Sequence, residues 1–354
     1  MNILFTCAGR RNYLLDYFRE AMRGSGKIIA IDSHIMAPAL AVADLSIVVP
    51  SVNHPGYLAT IKEIIRDHAV DAVVCLNDLE LPLLSKHKGE LEKLGARLFV
   101  SNSETIDIAF DKWKTYAFFK SLNIESPQTF LTIDEACSAI DLGKMDYPVI
   151  LKPRWGTASL GILEAHDEGE LILCYRLLKL QLSRSVLKET NQIDIEKCIL
   201  IQEKIKGAEY GMDILNDLNG VYQKSFVRKK VAMRSGETDK ALTVVNSYFL
   251  DLGKKIGQAT GHVGNMDCDF LVRRGKVYLL EMNPRFGGGY PFTHEAGVNI
   301  PAIYLAWMRG EVDITQYMNY TPNLTFVKYD KILKINTESY LKKSSDANLV
   351  CCQE

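Results

Sequence analysis

The stretch Asp267-Cys-Asp-Phe-Leu-Val-Arg-Arg-Gly-Lys-Val-Tyr-Leu-Leu-Glu-Met-Asn-Pro-Arg285 constrains this chain more than any other. Two short apolar runs flank a turn at Arg273 to Lys276, with acids at both open ends, which reads as a β-hairpin. If the turn has three residues and contains Gly275, Asp269 lies directly across the ladder from Glu281. Side chains alternate faces along a strand, so Glu281 and Asn283 then share a face with Asp269. Two carboxylates and an amide on one face form a hard-oxygen set of the kind that holds Mg²⁺ beside nucleotide phosphates. A one-residue slip in register would put Asp269 and Glu281 on opposite faces. Arg285 stands two residues past the amide, placed to meet negative charge. The competing reading is a hairpin that ends in solvated acids.

The first ~110 residues alternate strand and helix signals, as expected of a parallel sheet covered by helices. Strands are expected at Ile3 to Cys7, Ile28 to Ile31, Leu45 to Val49, Ala72 to Leu76 and Arg97 to Val100, with helices at Tyr13 to Met22 and Tyr57 to Asp67. A dinucleotide fold would look similar, but G-x-G-x-x-G is absent: Gly9 stands alone, followed by Arg10 and Arg11. That arginine pair suits a substrate carboxylate or phosphate, or a solvated loop. Asn77-Asp-Leu-Glu80 follows a buried-type strand, at the carboxyl end where such sheets bind ligands; helix capping explains it equally well.

From Asp111 the pattern changes. Helix signals cover Lys112 to Leu122 and Asp134 to Leu142, a strand covers Pro148 to Lys152, and another covers Ile162 to Glu164. Residues 167 to 190 carry Leu171, Tyr175, Leu178 and Leu182 at helical spacing and predict one long helix. Further strands are expected at Ile199 to Gln202, Gly211 to Leu215 and Val221 to Val227. Residues 331 to 354 read as a polar tail, poorly ordered over its last ~20 residues.

Lys152 closes a strand before the small-residue run Gly156, Thr157, Ala158, Ser159, Gly161. Such a loop brings backbone N–H groups close to phosphates while the lysine supplies a point charge; a flexible hairpin turn is the plainer reading. Gln202-Glu-Lys-Ile-Lys-Gly-Ala-Glu209 also follows a strand, where backbone can pair with an adenine edge and an acid can accept from ribose hydroxyls; an ordinary surface loop has the same composition.

A length of 354 residues suits two to three domains of ~150 residues each. Hydrophobic content of 47% and charged content of 24% fit a soluble globular protein. A formal net charge of -1 argues against nucleic acid held by bulk electrostatics. The start, Met1-Asn-Ile-Leu-Phe-Thr6, reads as a strand rather than a basic leader, and no apolar run approaches a membrane span. None of the eight cysteines forms a C-x₂-C pair, which weakens zinc and redox readings, and scattered thiols in a chain of this size suggest a reducing cytoplasm.

Taken in order, Asp-Lys112, Lys152 with its glycine-rich run, Gln202-Glu203 and Glu-Met-Asn-Pro-Arg285 resemble the ATP-grasp superfamily, in single-module members related to carbamoyl-phosphate synthetase and the carboxylate–amine ligases. The resemblance covers residues 1 to ~325. It implies a mixed α/β and α+β fold, with a Rossmann-like pre-ATP-grasp domain of parallel sheet over residues 1 to 110. An N-terminal ATP-grasp lobe with a mobile lid over 154 to 161 would follow at 111 to 200, and a C-terminal lobe with the metal site at 201 to 330. By the same resemblance Lys112, Lys152, Gly156, Thr157, Ser159 and Gly161 grip phosphates. Glu203, Lys204 and Ile205 hold adenine, and Glu209 holds ribose. Asp269, Glu281 and Asn283 hold Mg²⁺, or Mn²⁺. Arg285 faces the γ-phosphate and the acylphosphate, and Lys230 and Arg234 cover the triphosphate near the substrate. The implied activity is ATP-dependent joining of a carboxylate to an amine, with small-molecule partners, no nucleic acid, no membrane, and room for a homodimer. Two alternatives remain: phosphorylation of bicarbonate or a carbamate, and nucleotide binding without chemistry. After Asn-Pro-Arg, the run Phe286-Gly-Gly-Gly-Tyr290 is short of charge and suggests space for a carboxylate larger than bicarbonate. His294 nearby suits a structural role better than a base.

Overall fold

A computed structural model describes residues 1–156 and 160–343. The first domain is β1 (Asn2–Thr6), α1 (Asn12–Met22), β2 (Lys27–Asp32), β3 (Leu45–Val48), α2 (Tyr57–Asp67), β4 (Ala72–Cys75), α3 (Leu81–Lys86), α4 (Lys88–Glu92) and β5 (Arg97–Leu98). The strands match the apolar runs seen in the sequence, buried on both faces as parallel strands require. They pair in the order β3-β2-β1-β4-β5, all parallel. Order reverses between β1 and β4, so the crevice at their carboxyl ends is the ligand position of such a sheet. Cys7 to Arg11 and Asn77 to Asp78 both start there.

Helices α5 (Ser103–Phe110) and α6 (Lys112–Ser121) come next. A four-stranded sheet, order β6-β9-β7-β8, is built from β6 (Thr129–Phe130), β7 (Val149–Pro153), β8 (Leu163–Ala165) and β9 (Ile199–Glu203). It is covered by α7 (Ile133–Asp141), which carries a capping box at Thr132 and Glu135, and by α8 (Glu168–Ser183). The long helix expected over 167 to 190 is broken: α8 ends at Ser183, and a separate turn, α9, spans Lys188–Asn191. Lobe boundaries also differ from expectation. Ala109, Phe119 and Ile124, around α5 and α6, are buried with the larger sheet that follows, and β9 runs through residue 200.

That larger sheet has the order β14-β13-β10-β11-β12-β15: β10 (Ala208–Asn216), β11 (Tyr222–Arg234), β12 (Glu237–Val244), β13 (Gly264–Arg273), β14 (Lys276–Asn283) and β15 (Thr325–Val327). Its inner face packs on α10 (Ser247–Thr260). The basic segment 228 to 237 is a hairpin: Arg234 pairs with Glu237 across Ser235-Gly236, both at positive φ.

The 267–285 hairpin forms in the expected register by a different route. Arg273 pairs with Lys276, so the turn has two residues, Arg274 and Gly275, at φ 51° and 78°. That turn alone would set Asp269 opposite Leu280. An irregularity between Asp269 and Phe270 absorbs one residue and brings Glu281 opposite Asp269.

Finally α11 (Tyr290–Glu295) and α12 (Ile300–Met308) return the chain to the first domain. Phe286, Tyr290, Ile303 and Tyr304 share one core with Ile3, Phe5, Leu14 and Phe18. The expected polar tail is ordered as far as described: Tyr340 is buried, and β16 (Leu341–Lys342) adds a parallel edge strand beside β3.

Phe286 is 2% exposed and meets Tyr290 and Phe18 edge to face, at 4.7 and 6.1 Å between ring centroids. Phe286→Ala opens a cavity at this joint and is expected to cost about 3–5 kcal/mol. The urea midpoint checks it; a change under about 1 kcal/mol contradicts this packing.

Candidate functional site

One cavity of about 240 Å³ gathers residues from all three regions. Its cationic lining is Arg11, Lys112, Lys152, Arg228, Lys230 and Arg285; its acidic lining is Asp78, Glu209, Glu237, Asp267, Asp269 and Glu281. Lys112 is placed by the start of α6. Asp111 caps that helix by accepting from the Trp113 and Lys114 N–H groups, and it holds Arg154 through two bonds of 2.8 and 2.7 Å. Lys112 Nζ then donates to the Gly156 carbonyl at 2.8 Å and lies 3.5 Å from Glu281. Lys152, at the end of β7, donates to Gln202 Oε1 at 2.9 Å, and Gln202 in turn donates to Thr129. Burial, with Lys112 nearby, pulls the Lys152 amine down to about 8 despite the pull of Glu281.

On the opposite wall, strand alternation turns Arg228 and Lys230 inward. Lys230 bridges Glu209 and Asp269, 2.8 Å from each. Arg228 is buried between Asp213 and Asp267, at 2.5 Å from both. Burial, with Asp267 and Glu281 close by, raises the Asp269 carboxyl to about 7 against the opposing effect of Lys230. Burial also works against Glu281, but Lys112, Lys152, Lys230 and Arg285 together hold it down at about 2.

Asp269, Glu281 and Asn283 do converge, with Asn283 Nδ2 3.5 Å from Glu281 Oε1. Among the described residues no three His, Cys, Asp or Glu side chains form a metal cage by themselves. Two carboxylates and an amide fit a divalent cation that takes its other oxygens from phosphates and water. The raised Asp269 supports that fit, because a cation relieves the repulsion among the buried acids.

Arg285 donates to Asp78 Oδ2 at 2.6 Å and to the Phe286 carbonyl at 3.1 Å, while its buried Nε has no partner among the described residues. Arg11 donates to the Phe286 carbonyl at 3.3 Å and lies 3.7 Å from Glu237. The sequence left Arg11 and Asp78 undecided. Position at the carboxyl end of a parallel sheet was their one signal, and the β1–β4 crevice turns that signal into a wall of the site.

Other expected residues lie elsewhere. Arg234 is half exposed, paired with Asp239 and Asp330, and is not among the residues that line the cavity. Glu203 accepts from the Gln128 N–H, Lys204 pairs with Glu164, and Ile205 is buried; none lines the cavity. Gly156 lines it, flanked by Leu160 and Ile162, whereas Gly161 does not. Thr157 and Ser159 lie outside the described residues. The space expected after Arg285 is filled: a Cβ on Gly287, Gly288 or Gly289 would fall 2.1, 2.8 and 2.1 Å from atoms of Asp267, Glu237 and Arg228. His294 stacks on Tyr17 at 3.6 Å and is absent from the cavity lining, as a structural role requires.

A Rossmann-like domain feeding a two-lobed clamp, with lysines and paired acids facing one cleft, defines a nucleotide-grasping architecture. Residues 3–99 match the family described as PylC-like, N-terminal domain, and residues 196–331 match ATP-grasp in the biosynthetic pathway with Ter operon. The chain thus carries a PylC-like N-terminal domain followed by an ATP-grasp domain. It is 23% identical over 295 residues to the carbamoyl phosphate synthase large chain of Campylobacter jejuni, and 26% identical over 289 to that of Helicobacter pylori strain J99. Those matches cover 79% and 78% of this chain but only 25% of each relative. Among solved structures, the biotin carboxylase domain of Hydrogenobacter thermophilus 2-oxoglutarate carboxylase, in complex with MgADP and bicarbonate, aligns with TM-score 0.72 at 17% identity. The L-amino acid ligase of Bacillus licheniformis aligns with TM-score 0.65, also at 17%. They cover 92% of this chain, and 73% and 78% of their own. No helix among the described residues is long and apolar enough to cross a membrane.

If the cavity takes a polyphosphate, Lys152 gives its binding a pH dependence. Below pH 8 its amine is already charged; above it, the free protein holds a neutral amine that must take up a proton when a polyphosphate arrives. Triphosphate affinity is therefore expected to fall about tenfold per pH unit above 8. Calorimetry in buffers of different ionisation enthalpy measures the proton taken up; none at pH 9 contradicts the assignment.

Proposed function

We propose that this protein is an ATP-dependent carboxylate–amine ligase that makes an amide bond through an acylphosphate and releases ADP and phosphate. The observation that carries this reading is the convergence of Lys112, Lys152, Lys230 and Arg285 with Asp269, Glu281 and Asn283 on one cavity. Lys112 and Lys152 flank the phosphates, and Leu160 and Ile162 bring apolar cover from the lid segment. Asp269, Glu281 and Asn283 would hold Mg²⁺ or Mn²⁺, which when bound neutralises charge across the phosphates. The substrate carboxylate attacks the γ-phosphorus as the bond to ADP breaks. Arg285, with its unpaired Nε, stabilises the transferring phosphoryl group. An amine then attacks the acyl carbon, the C–N bond forms and phosphate leaves. Positioning and fixed charge supply most of the rate.

A second reading, phosphorylation of bicarbonate or a carbamate at the same site, is favoured by the filled glycine run, which removes the room expected for a bulky acid. ADP release from Mg²⁺-ATP over pools of carboxylic acids, each with and without amines, separates the two. Release that needs an organic acid and turns productive with an amine supports the ligase; release with bicarbonate alone supports the second reading. Glu281→Gln and Arg285→Ala are each expected to lower turnover by at least ~10²-fold, and near-normal rates in both variants contradict the site.

A further inference from the structure

Helix α8 is apolar on two faces. Leu171, Leu178 and Leu182 are buried in the core of the smaller lobe, as their spacing predicts. On the opposite side Leu173, Leu177 and Leu180 are 66%, 48% and 54% exposed. Their spacing of four and then three residues is the rhythm of a helix–helix seam, not of a solvated face. Glu170 and Arg184 continue the same stripe at its two ends, and both are exposed.

The charges select one geometry. Glu170 lies seven residues before Leu177 and Arg184 seven after it. An antiparallel pair of α8 helices with a two-fold axis at Leu177 sets Glu170 of each copy against Arg184 of the other. A parallel pair would oppose like charges at both ends. Charge along the helix follows the same order, with Asp167, Glu168 and Glu170 at its start and Arg176, Lys179 and Arg184 toward its end. One Glu170 oxygen accepts from the His166 N–H and leaves the other for a partner.

We propose that α8 is a self-association surface on which a second copy of this chain docks antiparallel through Leu173, Leu177 and Leu180, closed at each end by a Glu170–Arg184 pair. A contact of one 16-residue helix per copy, about 24 Å long, lies at the low end of specific interfaces, so the dimer is micromolar. The surface stands independently of the ligase reading.

Sedimentation equilibrium at about 100 μM chain, where a micromolar dimer is filled, tests it. Wild type is expected to be dimeric and Leu177→Glu monomeric with an unchanged melting temperature. Arg184→Glu is expected to weaken the dimer about tenfold, and adding Glu170→Arg to it to restore the affinity, since the swap exchanges both partners. A monomeric wild type, a Leu177→Glu dimer, or a double variant no tighter than Arg184→Glu overturns the proposal. A wild-type monomer would assign the stripe to a different protein.

Discussion

The floor of the cavity depends on one buried cation. The Arg228 guanidinium is clamped between Asp213 and Asp267, and Asp213 also accepts from Thr293 and Asn265. Neither charge tolerates burial without the other, so the cluster holds β10, β11, β13 and α11 in one geometry. It also explains local sequence. Gly211 and Gly289 lie against the guanidinium, and Gly287 lies against Asp267, at distances no side chain could share. Gly287 and Gly289 admit that cluster, and Gly288 between them admits Glu237.

Charge around the cavity is balanced, with six cations facing six acids. Several already hold one another: Lys112 with Glu281, Lys230 with Asp269 and Glu209, Arg285 with Asp78. An incoming polyanion therefore exchanges partners instead of filling a bare positive pocket. The acids it displaces, Asp269 and Glu281, are the oxygen donors suited to a divalent cation. On the proposed function, anion and cation binding would therefore be coupled, each improving the site for the other.

Much of this was legible in the sequence because it is local. Apolar runs fixed the parallel strands, and the Asp269–Glu281 juxtaposition followed from strand alternation, although the turn was shorter than expected and a bulge supplied the missing residue. Non-local features were not legible. β12 and α10 went unassigned, and segment 228 to 237, expected from the resemblance to cover a triphosphate, is a hairpin whose inward residues are satisfied by acids on neighbouring strands. Arg234 sits in the right stretch but points at Asp239 and Asp330. The filling of the glycine run depends on Asp267, Glu237 and Arg228 arriving from other strands. Arg11 and Asp78 joined the site through packing of the first domain on residues 286 to 304, a contact that no local pattern encodes.

Strand β16 closes onto the edge of the sheet in which β1 is central. Topologically, both grasp lobes are therefore an insertion between strands of the first domain. Tension applied between residues 2 and 342 runs sideways across β1, β2, β3 and β16, shearing parallel ladders one from the next. The strands of the two grasp lobes lie off that load path.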